Sequence, residues 1–464
     1  MLNNISNAFK GTAGLTNDYY EALVTASMEP HRLAIKRAKA RQDSLKVETA
    51  VYTDLDSKMN ALHDSLASLR NGDSSVFDDK IATTSDKAIA TASATSAVSN
   101  AAYDLVVTNL AAAHRVRSTQ VGNVAADLGY TGDFTINGVQ VSATATDSLE
   151  EIRDAINTAV IAAIDADTLA DEDRFTASII DGYLVLAADS TGQDFRLTAT
   201  DDTGTVLQSL GVLTGVGGWA DQLQDGAYTS FSLNGVGITR NNNTDITDVI
   251  NGLTLNLKTA GSATITVSPD TAGATGKINS FIAKLNDLTD WLAAKTSSKE
   301  ASDGTYTRGA LSGNLGLRNL RRTLVQTAFA TWSGAPATAT YTRLDQLGIE
   351  LGDKLVVSLA DSSKLTDGLA SKYSEVVDLF DALMTNVSAL VEPYSEGSNT
   401  LVDKMKSAAD NSLDSQGDKL KRMESAAARR EELIRNQIAY QFAAISSYND
   451  QGRYITSTLF SAYG

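Results

Sequence analysis

The chain holds three histidines and 56 acidic residues but no cysteine, so any chemistry it performs would fall to imidazoles and carboxylates. His31 and His63 lie in stretches that read as helix and His114 in one that reads as strand. None has a second ligand three or four residues on, the spacing by which a helix presents a metal site. Packing or surface roles account for all three. The acid-rich run from Asp165 to Asp173 fails as a calcium loop, because Leu169 and Ala170 stand where an EF-hand needs an oxygen ligand and a glycine. It reads as a solvated loop. "GVGGW" (Gly215 to Trp219) lacks the third glycine of a dinucleotide fingerprint and no strand-to-helix unit surrounds it. Disulfides, thiolate metal sites and a cysteine nucleophile are excluded together. No catalytic residue, cofactor site or metal site is expected, and the chain reads as a structural protein rather than an enzyme.

The charge balance narrows the partners. A formal net charge of −17 and a pI near 4.6 oppose binding to nucleic acid or an anionic membrane. One basic segment runs against this trend: Arg32, Lys36, Arg37, Lys39, Arg41 and Lys46 face a single acid, Asp43. Without interleaved aromatics it reads as a helix face pairing with acidic neighbours. No stretch approaches the roughly 20 apolar residues of a membrane span, and the opening residues lack the charged start and apolar core of a cleaved signal peptide. No membrane insertion and no cleaved leader are expected.

The elements that carry these residues fall in a clear order. Leu45, Tyr52, Leu55, Met59, Leu62, Leu66 and Leu69 repeat in a 3-4 rhythm broken only by Glu48, the pattern of a helix with one apolar seam, and Asn71-Gly72 supplies its stop signal. From Phe77 to Pro269 the composition turns to Thr, Ser, Ala and Val in period-two alternation, cut by Gly, Asn and Asp, which predicts strands. Helical spacing returns at Ile278, Ile282, Leu285, Leu288 and Leu292, then in "LSGNLGLRNLRRTLVQTAFATW", and again at Val376, Phe380, Leu383, Val387, Leu390 and Tyr394. A hairpin is expected around Leu351-Gly352-Asp353. The last pattern, Leu420, Met423, Ala427, Ile434, Ile438, Ile445, Ile455 and Leu459, reaches almost to the end of the sequence.

The fold class read from this order is α+β and multi-domain, a helical or coiled-coil body from both chain ends with inserted antiparallel β domains. The segments are a terminal helix at 1–44, the first part of the body at 45–76, β insertion at 77–125 and 222–270 around a second β domain at 126–221, the second part of the body at 271–400 with its hairpin near 344–360, and a coiled-coil helix at 401–464. A helix of roughly 50 residues spans about 75 Å. With no globular partner evident for residues 1–44 and 401–464, their seams are expected to meet neighbouring subunits and to order only in an assembly. Leu420, Met423, Leu433, Ile434, Ile438, Ile445, Ile455 and Leu459 are the candidate oligomer or partner contacts.

The strand region writes one module twice. "FTINGVQV" opens at Phe134 and "FSLNGVGI" at Phe231, and the Asn-Gly pairs in each are strong type I′ hairpin signals. After the first, Ser148 and Glu151 can form a capping box ahead of a helix lined by Leu149, Ile152 and Ile156. After the second, Ile246, Val249 and Ile250 are expected to form a shorter helix.

Taken in order, these pieces resemble the bacterial flagellar filament-capping family, also called flagellar hook-associated protein type 2. "GLTNDYYEALVTASMEPHRLAI" is similar to that family's glycine-leucine-Asp start, which leads to a Met-Glu-x-Pro turn, and "YTDLDSKMNALHDSLASLRNGDSSVFDDKIATTSD" to its helix and following strand. "NAAYDLVVTNLAAAHRVRS" resembles its strand with trailing His and Ser; "SFSLNGVGITRNNNTDITDVINGLTLNLK", "LDQLGIELGDKLVVSLADSSKL" and the last helix follow in sequence. The family shows a fuller glycine-serine-glycine cluster where this chain has Gly11-Thr12-Ala13-Gly14. The resemblance implies a structural cap at the distal end of the flagellar filament, a ring of copies usually described as pentameric, under which exported flagellin folds and inserts. It implies flagellin, the hook-filament junction proteins, and the flagellar type III export apparatus with its chaperone as partners, and an extracellular location at the filament tip. Another axial protein, a flagellin or junction subunit, and a secreted adhesin are the alternatives.

Overall fold

A computed structural model of the protein describes residues 17–72, 75–300, 306–397 and 399–462. The chain divides into two compact units, one made of residues 1–75 with 274–464 and the other of residues 76–273. The class is α+β with helices at both ends, as the patterning predicts.

In chain order the first unit opens with helix α1, Asn17–Ala67, which runs unbroken across residue 44 where two segments were expected. Pro30 lies inside it rather than in a turn. An internal proline removes one hydrogen bond and crowds the preceding carbonyl at a cost of about 3 kcal/mol. The helix continues because Tyr20, Val24 and Met28 before the proline and Ala38 and Leu45 after it are all buried, so packing on both sides outweighs the local break.

The second unit contains two lobes with separate cores. In one, β1 (Lys80–Thr84), β15 (Gly261–Pro269), β3 (Ala101–Asn109), β11 (Thr229–Leu233) and β12 (Val236–Arg240) form a five-stranded antiparallel sheet in that order, facing β13 (Ile246–Ile250), β14 (Leu253–Leu257) and β2 (Ala90–Ala94). Leu105, Val107, Phe231, Leu233, Leu255 and Ile265 fill the space between. In the other, β10 (Gln222–Gln224), β4 (Arg115–Arg117), β8 (Tyr183–Ala188) and β7 (Phe175–Ile180) form one sheet, and β6 (Val139–Ala143), β5 (Gly132–Ile136) and β9 (Ala199–Asp201) another. Helix α2 (Leu149–Asp165) packs Leu149, Ile152, Ile156 and Val160 into their common core with Phe134 and Phe175. A short helix α3, Val206–Ser209, completes this lobe.

The repeated module forms a hairpin both times. β5 pairs β6 and β11 pairs β12, with Asn137 at φ 45° and Gly138 at 80° in one turn and Asn234 at 49° and Gly235 at 79° in the other. Positive φ at both positions is what a type I′ turn requires. The capping box of the first module is present: the Ser148 amide donates to Glu151 Oε2 at 2.8 Å and the Glu151 amide to Ser148 Oγ at 3.3 Å. The short helix expected after the second module is instead strand β13. Asp245 at φ 54° turns the chain just before it, and "ITDVI" is too short and too β-branched to hold a helix without a cap. The ladder to β14, with Ile246 opposite Leu255, wins. The acidic run Asp165–Asp173 ends α2 and forms a short 3₁₀ turn, with Leu169 tucked into the lobe core.

Back in the first unit come α4 (Thr271–Thr296), a small hairpin β16 (Ser298–Glu300) and β17 (Tyr306–Arg308), α5 (Leu315–Ala328), the hairpin β18 (Ile349–Leu351) and β19 (Val357–Leu359), α6 (Ser362–Ser371), α7 (Tyr373–Ser395) and α8 (Leu401–Ala462). The seams read from the sequence are interior: Leu55, Met59, Leu62 and Leu66 on α1, Ile278, Leu285 and Leu292 on α4, and Val376, Leu383 and Val387 on α7 are all fully buried. The α1 terminus is fixed to α7, where Asp381 Oδ1 accepts from the Asn71 amide at 2.8 Å and Arg70 donates to Thr385 and Ser388. Asn286 of α4 exchanges two hydrogen bonds with the Val357 backbone, so the expected hairpin is held against the body.

Candidate assembly surface

Helices α1 and α8 pair antiparallel, and this pair is the best candidate for a working surface. Its seam is built from Tyr20, Val24 and Met28 on α1 and Ala427, Ile434 and Ile438 on α8, with Leu23, Ile35, Ala439 and Phe442 packed around it. Buried α8 residues recur at Val402, Ala409, Leu420, Ala427 and Ile434, steps of seven or eleven, which keep one side of the helix on its partner. Tyr20 donates through its hydroxyl to the Arg435 carbonyl at 3.0 Å, and its ring meets Phe442 edge-on at 6.2 Å. Further along, Gln416 Nε2 donates to the Ala38 carbonyl at 3.0 Å and Lys39 pairs Glu424 at 2.9 Å. Lys39 belongs to the basic segment, so at this position the segment meets an acidic neighbour.

Arg435 closes the seam electrostatically. Its two terminal nitrogens donate to the two carboxylate oxygens of Glu21 at 2.7 and 3.0 Å, and Nη2 also reaches Glu431 at 2.9 Å. The fork of a guanidinium matches a carboxylate in this way, whereas a lysine would make a point contact. The Arg435 hydrogen bond lowers the Glu21 carboxyl below its ordinary value. Glu21 is nearly half exposed, so the pair is screened and worth less than about 1 kcal/mol. Because its native value is depressed, that contribution is present above the unfolded value near 4.3 and is lost as pH falls through the native one. Glu21→Gln is expected to lower the melting midpoint slightly at pH 7 and to flatten its fall between pH 4.5 and 3, measured by circular dichroism.

The eight candidate contact residues separate into groups. Leu420, Ile434 and Ile438 are at most 9 % exposed and Met423 is half-buried, with Ile434 and Ile438 packed in the seam with α1. The expectation that the terminal seams have no partner within the chain is therefore corrected for Ile434 and Ile438: α1 is that partner, since a fifty-residue helix continuing through Pro30 is long enough to lie along α8. Leu433, Ile445 and Ile455 are 60 %, 46 % and 57 % exposed. The Leu459 side chain and residues 1–16, including Gly11-Thr12-Ala13-Gly14, lie outside the described residues. Beyond Phe442, α8 continues through Ala462, and every described side chain from Ala443 to Thr458 is exposed. Tyr440, Tyr448 and Tyr454, which the sequence reading passed over, add 79 %, 75 % and 74 % exposed rings to this stretch. An aromatic filter applied to the last heptads would have found them.

Nothing among the described residues assembles into a metal site, and the histidines stand apart. His31 is exposed on α1, and His63 on the same helix approaches Glu396 at 3.8 Å. His114 is buried beside β4, where its Nδ1 accepts from the Leu197 amide at 3.0 Å.

Family models place the chain. The model described as the flagellar hook-associated protein 2 N-terminus matches residues 19–114, and the one described as the C-terminus of the same protein matches residues 226–450. This chain belongs to the flagellar hook-associated protein 2 family. The two matches cover α1, the five-stranded lobe and most of α8, and the lobe around Phe134 falls between them. Among relatives, the A-type flagellar hook-associated protein 2 of Pseudomonas aeruginosa is 26 % identical over 442 residues, 86 % of each chain. The flagellar hook-associated protein 2 of Salmonella typhimurium is 28 % identical over 267 residues, 53 % of each. The crystal structure of the flagellar cap protein FliD D1-D2-D3 domains from Escherichia coli matches with a TM-score of 0.53 at 24 % identity, covering 78 % of this chain and 99 % of that one, and shares its fold.

Proposed function

We infer that the chain is the structural cap at the distal end of the bacterial flagellar filament and promotes the folding and insertion of exported flagellin. The observation that carries the reading is an antiparallel α1–α8 pair whose α8 partner runs on past Phe442 with Ile445, Tyr448, Tyr454 and Ile455 uncovered. Isolated helices gain little from such a face, and a filament subunit gains a docking surface. Leu433, Ile445, Ile455 and Leu459 are the proposed contacts with neighbouring copies and with flagellin, while Leu420, Met423, Ile434 and Ile438 hold the seam that presents them.

The protein works outside the cell at the filament tip. It forms a ring of copies, pentameric in this proposal, and meets flagellin and the hook-filament junction proteins there. It reaches that position through the flagellar type III export apparatus with a chaperone. Absence of cysteine and only four prolines suit a chain that refolds after export, because X-Pro isomerisation takes tens of seconds or longer. Electron microscopy of purified protein added to filaments tests the reading: label at the tips is expected, and label along the shaft would make the protein a shaft subunit instead.

A further inference from the structure

The two lobes of the second unit are joined by two chain segments lying side by side. Ala112 and Ala227 exchange backbone hydrogen bonds of 3.0 and 3.1 Å where the segments cross. Two loops grip this crossing from opposite lobes. From the five-stranded lobe, Asn243 donates to the Ala111 carbonyl and accepts from the Ala111 amide at 2.9 and 2.8 Å. From the Phe134 lobe, the loop 191–197 lays the Gly192 amide on the Ala112 carbonyl at 3.1 Å. The loops also hold each other: Thr191 Oγ1 donates to the Asn241 carbonyl at 2.6 Å, and Asp194 accepts from Asn241 Nδ2 at 2.9 Å and from the Tyr228 hydroxyl. The fit is tight, since a Cβ on Gly192 would fall 2.1 Å from Asn241 Oδ1.

One buried side chain pins the far end of that loop. His114 is 1 % exposed, directly after the crossing, and its Nδ1 accepts from the Leu197 amide. Its ring meets Trp219 at 5.4 Å, and Gly226 packs against its Cβ. An imidazole that accepts at Nδ1 from a fixed amide must be neutral, with its proton on Nε2. Adding a second proton puts N–H against N–H at a ring that is 1 % exposed.

We propose that His114 is an acid-sensitive pin: protonation at Nδ1 breaks its bond to the Leu197 amide, frees the loop 191–197 from the crossing, and uncouples the two lobes. Arg196 and Asp225 are the charged groups that act on the ring, and they pair with each other at 2.6 Å. Burial pushes the His114 value down, Asp225 partly restores it, and Arg196 lowers it again. Asp194 is itself held low by its hydrogen bonds from Tyr228 and Asn241. With a native value below the unfolded one near 6.5, stability is complete above about pH 6.5 and declines as pH falls toward the native value.

The full chain carrying Trp291→Phe and Trp332→Phe leaves Trp219 as the reporter. Its emission is expected to shift to the red as pH falls below 6.5, and the thermal transition it reports to fall by about 3–5 °C per pH unit at its steepest. His114→Asn, whose Oδ1 accepts the same bond without titrating, is expected to abolish both effects. An unchanged pH dependence in that variant, or a flat wild-type profile, overturns the proposal. Should His114→Asn not fold, the imidazole proton resonance of His114 decides, read by NMR in a His31→Asn, His63→Asn background. A midpoint clearly below 6.5 supports the pin and one at or above 6.5 refutes it.

Discussion

Leu433→Asp is expected to leave helix content and melting midpoint unchanged, within about 0.5 kcal/mol, while removing filament capping. Its neighbour one residue on lies against α1, but Leu433 itself is 60 % exposed and touches no described core. Ile438→Asp should behave in the opposite way. That side chain is 9 % exposed within the seam formed with Tyr20, Val24 and Met28, so truncating it alone costs about 2–5 kcal/mol and a buried carboxylate adds to that. The α1–α8 pair then opens, and circular dichroism loses helix before any assembly assay is run. The two substitutions, which the sequence alone would group as one contact surface, separate presentation from contact. If both melt like wild type and both lose capping, the seam is not holding the pair together and the assignment of Ile438 to it is wrong.

The second large effect lies in the repeated modules. Phe134 and Phe231 open equivalent hairpins, are both fully buried, and fill different cores. Phe134→Ala removes a ring from a close-packed interior and is expected to cost about 3–5 kcal/mol. Because its core shares no buried residue with the five-stranded lobe, the loss should remain on one side of the crossing at Ala112 and Ala227. Hydrogen exchange measured by mass spectrometry checks this: faster exchange across β5 to β8 with β3, β11 and β15 still protected is the expected pattern. Equal loss of protection in both lobes would show that the two cores unfold as one.

A local pattern can be read where the code is local. Type I′ turns at Asn137-Gly138 and Asn234-Gly235, the capping box at Ser148 and Glu151, and the 3-4 rhythm of Leu55, Met59, Leu62 and Leu66 each involve residues a few positions apart, and all formed as read. Where the outcome rested on distant partners, it could not be read. Ile246 to Ile250 became a strand because Leu253 to Leu257 lay ready to pair, and Pro30 stayed helical because α8 supplied apolar cover on both sides of it.

The candidate surface divides along the same line. Periodicity identified the apolar positions of the last helix, but a stripe of apolar residues does not say whether its cover comes from the same chain or another. Only the pairing of α1 with α8 turned Ile434 and Ile438 inward and left Leu433, Ile445 and Ile455 outside. His114 shows the limit most plainly: a lone histidine with no ligand spacing carries no signal in sequence, and its role arises from Leu197 and Trp219, far along the chain but adjacent in space. The sequence by itself determined the doubled hairpin and the order of helix, strands and helix, since those follow from short-range sterics and periodic burial. The tertiary structure alone decided which seams are satisfied within the molecule, because burial is a property of what two distant segments do to each other.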